Sequence, residues 1–128
     1  MNASLMLLGR FGLALIFIIS GWGKITGYAA TQQYMENMGV PGALLPLVIL
    51  IELGGGLAIV GGLFTRWVAL AMAVFSIATA AVFHANFADP AQAINFWKNV
   101  SMAGGFLVLS AHGAGAYSVD GSRQRVVK

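Results

Sequence analysis

Cysteine is missing altogether from this 128-residue chain. That excludes disulfides, CxxC redox chemistry, iron–sulfur ligation and thiolate metal sites made from its own residues. Charge is nearly as scarce. Only 9% of the residues are Asp, Glu, Lys or Arg, against roughly 25% in soluble domains. Such a chain cannot cover itself with a wetted surface. The formal charge is +3 and the isoelectric point 9.7. Yet the 7 Lys and Arg residues are scattered among apolar runs, which argues against a nucleic-acid surface.

Hydrocarbon is what the chain has in plenty. Hydrophobic residues make up 59% and the mean hydropathy is +0.82, which points to one small all-α integral membrane domain. Four apolar segments stand out, at about 4–23, 44–64, 67–84 and 96–111. Strands do not compete, because backbone in lipid must bond within its own segment or close into a barrel. The expectation is therefore an up-down-up-down four-helix bundle over residues 1–112, crossing a bilayer at each segment. Residues 113–128, ending SRQRVVK, are expected as a polar, partly mobile tail in water. The first segment lacks a basic lead-in, is broken by Arg10 and ends in GWGKITG, so it reads as an uncleaved span.

The connections set the topology. Thr65-Arg66 is a tight link that makes the second and third spans a hairpin. The first connection contains TQQYMENM, Thr31 to Met38, expected as an amphipathic turn at the interface with Thr31 as its N-cap. Four spans put Arg66, Arg123, Arg125 and Lys128 on the side of both termini, and Lys24 and Lys98 on the other. The positive-inside rule places the termini in the cytoplasm.

The second span, LLPLVILIELGGGLAIVGGLF, carries Glu52 near its middle. A carboxylate at that depth costs roughly 2.5–3.5 kcal/mol even on the lenient insertion scale, so it calls for a partner. On the first span Arg10, Ala14, Phe17, Gly21 and Lys24 follow 4-3-4-3 spacing and share one face. Arg10 and Glu52 come out roughly 9 Å apart in depth, which favours a direct or water-bridged Arg10–Glu52 pair. The alternative is that Arg10 snorkels to the headgroups and Glu52 is protonated or solvated.

His84 and His112 fall at opposite ends of the bundle, roughly 20 Å apart, too far to ligate one haem iron. Neither has partners for a metal site. His84 fits better in an outward-opening pocket with Asn86, Lys98 and Asn99. Lys24, His84, Lys98 and Asn99 converge above Glu52, between apolar walls of Phe17, Phe83, Met102 and Phe106. Such a cavity suits a quinone, whose ring carbonyls would accept hydrogen bonds from Lys or His. GAGAYS, from Gly113, lacks the third glycine and the βαβ setting of a nucleotide fingerprint.

The chain resembles the DoxX family of small four-helix bacterial membrane proteins over essentially its whole length. The likeness rests on Arg10 followed by LALIFIISGWGKITG, on IELGGGLAIVGGLFTR, on His84 closing the third span, on Lys98-Asn99, and on GAGAYSVD, in that order. It implies a four-span protein of the cytoplasmic membrane linked to quinone-coupled oxidation, including a small subunit of a thiosulfate:quinone oxidoreductase. It also implies a link to resistance against quinone-like or thiol stress. Arg10, Lys24, Glu52, Arg66, Lys98 and Asp120 match its motif residues, and no catalytic role attaches to any of them.

The reading is a quinone-interacting accessory subunit of a redox or detoxification system. It has no redox cofactor of its own, and a quinone or lipid as ligand. Arg10, Phe17, Lys24, Glu52, His84, Lys98 and Asn99 are the candidate ligand-binding residues. A redox partner protein or a second copy of the chain would complete it. The alternatives are a structural membrane anchor and a small proton-coupled transporter using Glu52. A stand-alone enzyme is not expected, since no nucleophile–base pair or cofactor motif is present.

Overall fold

A computed structural model describes residues 2–127. Among the described residues every regular element is a helix. We number them α1 (Asn2–Thr26), α2 (Tyr28–Asn37), α3 (Gly42–Gly61), α4 (Thr65–Phe83), α5 (Pro90–His112) and α6 (Val119–Val127). By length and composition α1, α3 and α4 could each cross a membrane. Lys128, assigned above to the cytoplasmic side, lies outside the described residues, as does the side chain of Arg125.

The helices begin and end where their residues dictate. Asp89 caps α5, its carboxylate accepting from Ala91 N–H at 3.0 Å with Pro90 in the first turn. The helix therefore starts six residues ahead of the apolar segment read from Phe96. Thr31 is no N-cap: it lies inside α2, and its hydroxyl donates to Gly27 O at 3.0 Å. The connection that holds it is a 10-residue helix whose Met35 is buried.

α3 is not uniform. It opens as a 3₁₀ turn (Gly42–Leu44), continues as α-helix (Leu45–Ile49), widens into a π-turn (Leu50–Gly54) and closes as α-helix (Gly55–Gly61). Glu52 sits in the middle of the π-turn. Such a turn rotates the side chains that follow it and is frequent at functional sites.

α4 packs most extensively on α5, and α1 on α3, while α3 also meets α4 and α1 meets α5. Ala14, Phe17, Ile59, Met72, Ala73, Ala103 and Phe106 form the shared core. Phe17 meets Phe106 edge-on at 5.6 Å between ring centroids. Close backbone approach holds α1 to α3. A Cβ at Gly21 would stand 3.0 Å from both N and Cβ of Leu53. Gly21→Leu is expected to cost about 2 kcal/mol by overpacking. Gly12→Ala, whose added carbon meets nothing within 4 Å, should leave the thermal midpoint in nanodiscs unchanged.

The segment after Gly113 is docked rather than loose. α4 begins at Phe64 in the left-handed region (φ 48°) with no local side-chain cap. Asp120 supplies one from 55 residues away, accepting from Phe64 N–H at 2.9 Å and Thr65 N–H at 2.8 Å. Its own N–H donates to Gly62 O at 3.0 Å. Burial pushes the Asp120 carboxyl up, but the Thr65 and Phe64 N–H bonds and nearby Arg123 outweigh it. The buried Thr65 hydroxyl, beside the carboxylate without a well-aligned bond, adds to their effect. The group thus lies below the ordinary carboxylate range. A depressed folded-state pKa contributes stability above the unfolded value, lost as pH falls through the folded one. Amide-exchange protection around residues 62–65 should therefore hold down to about pH 4 and fall below it. Asp120→Asn should remove that dependence; a flat profile in the parent chain would contradict the assignment.

Candidate functional site

Glu52 is 5% exposed and is held by Lys24. The ammonium stands 3.0 Å from Oε1 and 3.2 Å from Oε2, and donates to Ser20 Oγ at 2.6 Å. Ser20 lies one helical turn before Lys24, so α1 itself positions the cation.

The Arg10–Glu52 pair read from the sequence is not formed. Arg10 is 1% exposed at the other end of the fold, donating from Nη1 to Ala114 O at 3.1 Å and from Nη2 to Tyr117 O at 2.5 Å. The docked segment after α5 offers these carbonyls, and no apolar span could have signalled it. Arg66 acts similarly nearby, donating to Ala111 O and His112 O, each at 3.1 Å. Carbonyls at the end of α5 that lack helical partners are thereby satisfied.

The Lys24–Glu52 pair lies in a cavity of about 490 Å³. Of the residues read from the sequence, Phe17, Lys24, Glu52, His84 and Asn99 line it, with Phe83 and Met102 as walls. Arg10 and Lys98 do not, and Lys98 is exposed. Phe106 is fully buried behind Phe17.

The sequence reading missed Ser20, Thr31, Tyr34, Phe75 and Thr79, which also line the cavity. Ser20 was recoverable from its i−4 spacing to Lys24. Tyr34 was not, because its place depends on α2 folding back as a helix, where it stacks on Phe83 at 5.6 Å. Ile16 and Tyr34 line the cavity yet remain exposed, so it opens between α1 and α2.

Two polar groups face the ion pair from α4 and α5. His84 Nδ1 lies 2.7 Å from Gln92 Oε1. Asn99 Nδ2 donates to Ser76 O at 3.2 Å and to Thr79 Oγ1 at 3.0 Å. His112 lines a separate cavity of about 630 Å³ with Arg66, Asp120 and Arg123. The two histidines thus stand in different cavities. The arrangement around Glu52 combines aromatic walls, a buried ion pair and a few directed polar atoms, as sites for small amphipathic molecules do.

The DoxX family model matches residues 5–85. Inner membrane protein YqjF of Escherichia coli K12 is 56% identical over 115 residues, covering 90% of this chain and 88% of that protein. Inner membrane protein YphA of the same organism is 40% identical over 123 residues, 91% and 88% of the two chains. No solved structure matches. The family match spans α1 to the end of α4, and so includes Lys24, Glu52 and His84. The chain belongs to the DoxX family.

Proposed function

We propose that this protein is a multi-pass protein of the bacterial inner membrane that holds a quinone-type aromatic ligand as a non-catalytic subunit of a redox or detoxification system. The names of its two relatives support the location. The three apolar helices agree with it. In this reading α5 is the fourth span, both termini are cytoplasmic, and the Lys24–Glu52 cavity opens toward lipid in the outer half.

The observation that carries the reading is that cavity. Its volume of about 490 Å³ lies in the range of small-molecule sites. Phe17, Phe75 and Phe83 offer flat apolar contact, and the mouth between Ile16 and Tyr34 lets an amphiphile arrive from the bilayer. In this reading a redox partner supplies the cofactor and the chain supplies the binding surface.

The test is titration of the purified protein in lipid nanodiscs with a short-chain benzoquinone such as decylubiquinone. Saturable binding near one site per chain is expected, weakened at least tenfold by Phe75→Ala combined with Met102→Ala. Absence of any saturable response in the parent protein would overturn the reading. It would leave an anchor, or a transporter with Glu52 as its titrating group.

A further inference from the structure

Many of the hydrogen-bonding atoms around the cavity are already committed to one another. An ammonium has three hydrogens. Lys24 donates one to Ser20 Oγ at 2.6 Å and one to Glu52 Oε2 at 3.2 Å, with Oε1 at 3.0 Å completing the ion pair. One is left, beside Glu52.

The Asn99 amide nitrogen is engaged twice. Ser76 O can only accept, so the nitrogen end of the amide must face it. Thr79 Oγ1 donates its own hydrogen to that same carbonyl at 3.1 Å, so toward Asn99 it can only accept. This closed triangle fixes the amide orientation and leaves Asn99 Oδ1, an acceptor, as its free atom. In its neutral form the His84 ring, with Gln92 Oε1 2.7 Å from Nδ1, carries its hydrogen there and presents Nε2 as a second acceptor. The Thr31 hydroxyl donates to Gly27 O. Only the Ser20 and Tyr34 hydroxyls remain rotatable. On the α4 and α5 side of the cavity the fixed polar atoms open to a ligand are therefore acceptors, while the remaining Lys24 hydrogen lies across on α1.

We infer that the cavity selects ligands whose polar groups donate hydrogen bonds, a phenol or hydroquinone over the matching quinone, with Asn99 setting the preference. This rests on the ligand-binding reading above and assigns its chemical class. A ring carbonyl at Asn99 Oδ1 would face an acceptor with no hydrogen between them. A ring hydroxyl there completes both groups, and an unmade bond in a desolvated site discriminates more strongly than a made one.

The test compares decylubiquinol with decylubiquinone, titrated anaerobically into the protein in nanodiscs. A second pair, 4-nonylphenol and its methyl ether, removes the donor without redox chemistry. The hydroxyl-bearing member of each pair is expected to bind at least about fivefold tighter, the scale of one neutral hydrogen bond. In Asn99→Leu the ratio should fall below about twofold, with the thermal midpoint measured alongside to confirm folding. Because the parent protein alone reports both ratios, a poorly folded variant does not decide the matter. If both members of each pair bind the parent equally, or the quinone and ether bind tighter, this inference fails while the ligand-binding reading stands. If no member binds, both fail.

Discussion

Lys24→Met is expected to lower the stability of the protein in nanodiscs by about 2–4 kcal/mol. Removing one partner of a buried pair costs about 3–5 kcal/mol, because it strands a charge that neither water nor a counter-ion answers. Glu52 is 5% exposed, and Lys24 bridges both of its oxygens. The lysine side chain is 25% exposed, which sets the loss toward the lower end. The same asymmetry makes Glu52→Gln milder, at about 1–2 kcal/mol, since a freed lysine can rehydrate at the cavity mouth. Lys24→Met with Glu52→Leu should regain most of the loss, as apolar replacements of buried pairs often do. Thermal midpoints of the three variants form a double-mutant cycle. A Lys24→Met protein as stable as its parent would mean that Glu52 has another answer.

Arg10→Met is expected to cost about 3 kcal/mol and to act elsewhere. The guanidinium is 1% exposed and ties Ala114 O and Tyr117 O to α1, and hydrogen bonds to a charged donor contribute about 1.5–3 kcal/mol each. Its loss should release residues 113–121 to rapid amide exchange and to protease, while ligand binding at Lys24–Glu52 persists. Arg10→Lys should rescue little, because an ammonium lacks the planar fork that reaches two separate carbonyls. Unchanged exchange in residues 113–121 would refute the anchoring role. So would loss of the cavity's ligand affinity with the C-terminal segment still protected.

These two residues show where sequence reading ends. The buried stripe of α1 was legible from spacing alone, since Arg10, Ala14, Phe17 and Gly21 are its buried residues and Lys24 continues the face. That Glu52 needs an answer followed from its isolation among apolar residues. Which cation supplies it did not follow. Depth along ideal helices favoured Arg10, but the π-turn at Leu50–Gly54 reorients Glu52 and α1 runs on past Lys24 to Thr26. Irregular backbone of that kind leaves no periodic trace. Asp120 capping α4 across 55 residues of chain was equally invisible, since a cap is ordinarily sought just before its own helix. Which polar atoms stay open at the cavity is hidden for a related reason, since the free nitrogen of a histidine depends on a neighbour such as Gln92.

The most direct test of the account is a dipolar distance measurement by solid-state NMR in bilayers, with ¹⁵N at Lys24 Nζ and ¹³C at the Glu52 carboxylate. The account predicts strong dephasing from a directly bonded pair, Nζ to Oε1 at 3.0 Å, and none from ¹⁵N-labelled Arg10. Dephasing from the Arg10 guanidinium instead, or from neither cation, would contradict it.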